Sequence, residues 1–161
     1  MQTKPMNNGS LTCQSKIFDG VSKYQYEQVH YYYDQATGLK AIIALHSTVL
    51  GPALGGVRIW HYATEEEALS DVLLLARGMT YKAAIAGLEV GGGKAVIMKA
   101  NPMDKPEAFL RKYGRCVESL QGAYITAPDV NSTIADMAHI AKETQHVVGL
   151  PTEQGGGEIP L

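Results

Sequence analysis

Residues 91–99 read Gly-Gly-Gly-Lys-Ala-Val-Ile-Met-Lys, and the four apolar residues after Lys94 lack the alternating polarity of a half-exposed strand. A short unbroken apolar run, bounded by glycine and lysine, predicts a strand covered on both faces. A helix precedes it. Thr64 and Glu67 have capping-box spacing, and Leu69, Val72, Leu73 and Ala76 follow the i, i+3, i+4, i+7 pattern of one apolar stripe. A second helix follows it, capped by Asp104 and Glu107 with Pro106 in its first turn, and with Phe109, Tyr113, Cys116, Val117 and Leu120 inward. Tyr124–Ala127 is the next strand. Thr133 and Asp136 open a further helix with Met137, Ile140 and Ala141 inward, and Val147-Val148 form a short closing strand. Strands alternating with helices predict βαβ units and a largely parallel sheet.

The segment upstream is different. Tyr24–Asp34 alternates, with Val29, Tyr31 and Tyr33 on one face, and Asp34–Gly38 is a turn ending in glycine. Leu39–Leu45 is a more buried strand, so the two pair as a β-hairpin. Val57–Trp60 is a short third strand after the pair Gly55-Gly56. The expected fold class is therefore α/β: three layers, a largely parallel sheet and a leading antiparallel hairpin. One domain is expected over residues 24–150, with a partly disordered or helical lead-in at 1–23 and a linker at 151–161.

Bulk properties narrow the function. The chain has 161 residues and a formal net charge of −2 with no basic run, which gives no electrostatic case for nucleic acid or an anionic membrane. No apolar stretch approaches the length of a membrane span. Cys13 and Cys116 are isolated, which argues against a disulfide framework and for a reducing, cytoplasmic compartment. The five histidines show no ligand spacing, so no metal site is expected.

Ligands of open α/β sheets bind beyond the carboxyl ends of the strands. Three glycine- or proline-marked corners are expected there: Pro52–Gly56, Gly91–Lys94 and Thr126–Val130. Lys94 enters an apolar run, and desolvation of an ammonium lowers its pKa toward that of a working general base. The competing reading is a surface lysine after a flexible turn. Lys82, placed at or beyond the end of the long helix, either faces the same cleft to meet a carboxylate or complements the helix C-terminus. Asp129 either holds an amine and shuttles protons with a lysine, or is a turn aspartate before Asn131-Ser132. A phosphate loop is excluded, because Leu88 stands where Walker spacing needs glycine and Ala95 where it needs Ser or Thr. No G-x-G-x-x-G dinucleotide fingerprint occurs in the chain.

Three stretches together resemble one family: YEQVHYYYDQATGLKAIIALHSTVLGPALGGVRIW (26–60), RGMTYKAAIAGLEVGGGKAVI (77–97) and YITAPDVNST (124–133). Their order and spacing are similar to the glutamate/leucine/phenylalanine/valine dehydrogenases, and most closely to the leucine members, over about Tyr24 to Gly157. The resemblance implies oxidative deamination of an L-amino acid to a 2-oxo acid with hydride passed to NAD. It implies that Lys82 binds the substrate carboxylate, helped by the backbone at Gly55 and Gly56. It implies that Lys94 activates water for attack on an imine, and that Asp129 handles the amino group and exchanges protons with Lys94. Met79 and Leu54 would line the side-chain pocket. Ala127 resembles the leucine enzymes, whereas Pro128 resembles some phenylalanine enzymes, so a leucine-like aliphatic substrate is favoured. The family continues into a Rossmann domain that binds NAD. The 161-residue chain alone is therefore expected to give no turnover. A homo-oligomer, at least a dimer, is expected, with the tyrosine-rich hairpin as a contact. The alternatives left open are a non-catalytic dimerisation or amino-acid-binding module and a Schiff-base enzyme.

Overall fold

A computed structural model describes residues 17–154. Cys13 and the residues 155–161 expected to be linker lie outside them, as does most of the expected lead-in. The described chain forms α1 (Ile17–Lys23), β1 (Gln28–Asp34), β2 (Leu39–Ser47), β3 (Ala53–Trp60), α2 (Glu65–Ile85), β4 (Gly91–Met98), α3 (Glu107–Glu118), β5 (Tyr124–Pro128), α4 (Ile134–Ile140) and a 3₁₀ turn (Thr152–Gln154).

The five strands lie in the order β1-β2-β4-β3-β5. β3 pairs in parallel with both β4 and β5, while β2 is antiparallel to β1 and to β4. Four strands thus share one direction and only β2 opposes them, as the hairpin followed by βαβ units predicts. Helices cover both faces. Ala95 and Ile97 of β4 join Phe109, Leu110, Tyr113 and Val117 of α3 and Met137 and Ile140 of α4. Val96, between them in sequence, packs with Ala68, Val72, Leu73 and Ala76 of α2 on the other face. That double cover is why the Ala95–Met98 run has no polar alternation. Each fully buried aliphatic side chain in it stabilises the fold by roughly 1.5–3 kcal/mol.

Several local expectations are corrected. The glycines do not form corners: Gly55-Gly56 lie inside β3, and Gly91–Gly93 begin β4. Close packing explains them. A Cβ on Gly92 would sit 2.1 Å from Thr80 N of α2, and one on Gly93 would sit 2.9 Å from the Tyr124 ring. The α3 cap is also different. Pro106 is the N-cap residue and makes no side-chain cap bond, while Asp104 instead lies 3.6 Å from the Lys99 ammonium. Proline lacks an N–H, which costs nothing at a position whose amide would be unpaired. At α2, Thr64 Oγ1 accepts from Glu67 N, but the Glu67 carboxylate accepts from Ala63 N rather than closing the box on Thr64. The box expected at Thr133 and Asp136 is complete. Val147 makes only an isolated parallel bridge to Thr126, not a strand.

The β1–β2 turn carries a pH-dependent element. Asp34 accepts bonds from the Thr37 hydroxyl (2.7 Å) and Thr37 N (2.9 Å), and lies 3.1 Å from the Lys112 ammonium. The Thr37 bonds first, then Lys112, hold its carboxyl down at about 2, against a usual 3.8. A depressed carboxyl pKa contributes stability above its unfolded value, and that stability is lost as pH falls toward the folded value. Asp34→Asn should therefore be less stable than the parent at pH 7, with the difference closing between about pH 4 and about pH 2. Urea titrations at several pH values would measure this, and a difference independent of pH would contradict it.

Candidate active site

Side-chain alternation along β4 puts Lys94 on the same face as Val96, toward α2. Lys94 is only 5% exposed, a burial that requires a partner for its ammonium. The partner is Asp129, one residue past the end of β5, with Nζ 3.1 Å from Oδ2. Lys94 and Asp129 are 35 positions apart in the chain, yet the β4–β3–β5 order brings them together. In that register Leu54 lies beside Gly92, and Gly56 beside Ala127.

Asp129 has room because position 56 is glycine: a Cβ there would lie 2.7 Å from Asp129 Cβ and 2.7 Å from Pro128 O. The turn after β5 is anchored. Ser132 Oγ accepts from Asp129 N (2.8 Å) and donates to Val57 O (2.7 Å), while Asn131 Nδ2 donates to Ile59 O (2.9 Å). Asn131 itself adopts a left-handed conformation, φ 59°, which asparagine tolerates better than most residues. Asp129 is thus a turn aspartate, as one reading of the sequence expected, and it also pairs with Lys94.

Electrostatics follow the geometry. Burial pushes the Lys94 ammonium pKa down, and Asp129 offsets only part of this, leaving it below the usual lysine value. Burial alone would raise the Asp129 carboxyl. Lys94, the Val130 amide and Arg58 together outweigh burial and leave it below the ordinary range. The pair is coupled, so its protons are shared properties of both groups.

Three groups that sequence reading did not single out complete the cluster. Arg58 of β3 directs Nε to Asp129 Oδ2 (3.2 Å) and Nη1 to Asp71 Oδ2 of α2 (3.1 Å). Tyr62 donates to the same Asp71 oxygen at 2.6 Å. Burial and the neighbouring Asp71 push the Tyr62 phenol far up, so it stays an O–H donor. A cavity of about 470 Å³, lined by Arg58, Trp60, Tyr62, Glu67, Asp71 and Val130, opens beside this network. The available sequence signal was a lone arginine between Val57 and Ile59 in a strand now seen to be covered on both faces.

The remaining expected residues are placed as follows. Gly55 and Gly56 are buried in β3; Leu54 and Pro128 are half-buried, and Ala127 is buried. Met79 is half-buried on α2. Lys82 lies in the last turn of α2, inside the helix rather than beyond it, and is exposed. Among the described residues Lys82 makes no ion pair, so the structure joins Lys94 to Asp129 and leaves Lys82 open to solvent. Its neighbour Thr80 packs against Gly92, two residues before Lys94.

The structure thus brings together a buried lysine from within β4 and a carboxylate just past the end of β5, beside the glycine-lined backbone of β3. The family described as "Glu/Leu/Phe/Val dehydrogenase, dimerisation domain" matches residues 24–146, and the chain belongs to that family. It is 54% identical over 145 residues to a leucine dehydrogenase of Geobacillus stearothermophilus, covering 90% of this chain and 40% of that protein. It is 55% identical over 131 residues to a valine dehydrogenase of Streptomyces virginiae, covering 81% of this chain and 37% of the relative. Among solved structures, L-tryptophan dehydrogenase from Nostoc punctiforme superimposes with a TM-score of 0.79 at 52% identity, over 82% of this chain and 39% of that one. The chain thus spans about 40% of the length of the curated relatives it matches.

Proposed function

We propose that this domain binds an L-amino acid and performs the acid–base chemistry of its NAD-linked oxidative deamination to a 2-oxo acid, with a leucine-like aliphatic substrate. The observation that carries the reading is the Lys94–Asp129 contact of 3.1 Å, with the lysine almost fully buried. Lys82, with the backbone of Gly55 and Gly56, holds the substrate carboxylate. Leu54, Met79, Ala127 and Pro128 line the side-chain pocket. Asp129 takes up the amino group and exchanges a proton with Lys94. Lys94 in its neutral form draws a proton from the water that attacks the imine carbon, Asp129 gives a proton to the nitrogen, and the C–N bond breaks to release ammonia and the 2-oxo acid. Because burial favours the neutral amine, Lys94 reaches that state at lower pH than an exposed lysine.

NAD supplies the hydride acceptor when bound. The glycine run beside the site does not fit a pyrophosphate cradle: Gly91–Gly93 is pleated strand, closed against Ser47, Thr80 and Tyr124, not a turn opening a helix. We propose that NAD binding lies outside these 161 residues, and the isolated chain is inactive on this reading. Assembly into at least a dimer belongs to the same proposal. β1 is an edge strand carrying exposed Tyr31 and Tyr33, a surface suited to a second copy. Among the described residues no helix is long and apolar enough to cross a membrane. A cytoplasmic location belongs to the same proposal; Cys116 is buried and makes no disulfide among the described residues.

The test is a chimera that joins this chain to the cofactor-binding remainder of the Geobacillus leucine dehydrogenase. Reduction of NAD by L-leucine is expected. A folded, oligomeric chimera with no turnover on leucine, valine or phenylalanine would refute the reading.

A further inference from the structure

Arg58 forks between two carboxylates, with Nε on Asp129 Oδ2 and Nη1 on both oxygens of Asp71 at 3.3 and 3.1 Å. Lys94 approaches that same Oδ2 of Asp129. The chain of contacts is therefore Lys94–Asp129–Arg58–Asp71–Tyr62, with charge alternating along it and a phenol at its end. A planar guanidinium holds two carboxylates in fixed directions, which a lysine ammonium does not. α2 contributes Asp71, β3 contributes Arg58, and the β3–α2 connection contributes Tyr62.

We propose that Arg58 and Asp71 are positioning residues: Arg58 fixes the Asp129 carboxylate beside Lys94, and Asp71 neutralises Arg58 so that Asp129 stays engaged with the lysine. The two act in opposite senses on Lys94. Arg58 is a second cation near the ammonium and competes for its carboxylate. Asp71 withdraws that competition and adds a negative charge nearby. This deepens the reading of Lys94 and Asp129 given above, and rests on it for its catalytic meaning, but the charge coupling is measurable without turnover.

The groups facing Lys94 and Asp129 are Arg58 from β3, Asp71 from α2 and Tyr62 from the connection. Burial and Asp71 push the Tyr62 phenol far up, so it stays neutral throughout. The lysine titration then reports on Asp129, Arg58 and Asp71. The experiment follows the Lys94 side-chain carbon next to nitrogen by NMR in the 161-residue protein with ¹³C-labelled lysine, assigned by Lys94→Arg. Arg58→Gln should raise the Lys94 midpoint by about half a pH unit or more, and Asp71→Asn should lower it by a similar amount. The double variant should return to within about 0.3 unit of the parent, since both charges are removed together. Equal or same-sense shifts in the two single variants would overturn the proposal. If Arg58→Gln does not fold, the sign for Asp71→Asn decides: a fall supports the proposal, and a rise or no change overturns it. Opposite shifts together with an inactive chimera would keep the network and refute the deamination reading. An active chimera with no opposite shifts would do the reverse.

Discussion

Lys94→Met, in the enzyme completed by its cofactor half, should lower kcat/KM for oxidative deamination by about 10²–10⁴-fold, the range for loss of a positioned general base. Folding should be preserved or improved. Methionine matches the length of the lysine stem, and the buried ammonium that burial disfavours is removed. Asp129 keeps Arg58 at 3.2 Å, so the carboxylate is not left without a cation. Comparing the variant's urea midpoint with its turnover separates the two effects. Lost activity with retained stability identifies chemistry, whereas a variant with near-parental turnover would remove Lys94 from the mechanism.

Gly55→Ala should have the largest effect on stability, roughly 3 kcal/mol or more, at or above the upper end of overpacking costs. A Cβ at this position would sit 1.7 Å from Gly93 O and 3.3 Å from Lys94 Cα, both on the neighbouring strand. Neither contact is the end of a flexible side chain, so β4 itself must move away from β3. The site would be lost with the pairing, because β4 carries Lys94. A large fall in urea midpoint, or failure to accumulate folded protein, is the expected result. A variant as stable as the parent would show that the β3–β4 approach is looser than the structure gives.

Local pattern made the elements legible and left their contacts hidden. The apolar run Ala95–Met98 reads as a doubly covered strand because both of its faces meet helices, and Thr133 with Asp136 reads as a box because both partners are three residues apart. Asp104 and Glu107 have the same spacing, but Pro106 takes the cap position and Asp104 turns to Lys99. The glycine runs looked like turns because φ freedom is the commonest reason for glycine. Here most are needed for lateral clearance within the sheet, a property of neighbouring strands and of Thr80 and Tyr124 rather than of local sequence.

The site shows the same division. Lys94 and Asp129 stood out because one enters an apolar strand and the other follows one. Their meeting across β4, β3 and β5 depends on strand order, which spacing alone does not encode. Arg58, Asp71 and Tyr62 escaped notice because each has an ordinary local reading. An arginine in a strand and an aspartate beside a helix's apolar stripe both look solvated until α2 is laid over the sheet. Lys82 remains exposed on α2, and its part in the reading requires a bound carboxylate to face it.

A crystal structure of the protein with L-leucine tests the central claim most directly. The amino nitrogen should lie within about 3.5 Å of the Asp129 carboxylate, with the substrate carboxylate on Lys82 and the α-carbon facing Lys94. Leucine bound elsewhere, for example in the cavity of about 410 Å³ lined by Tyr31, Tyr32 and Tyr33, with Lys94 and Asp129 untouched, would contradict it.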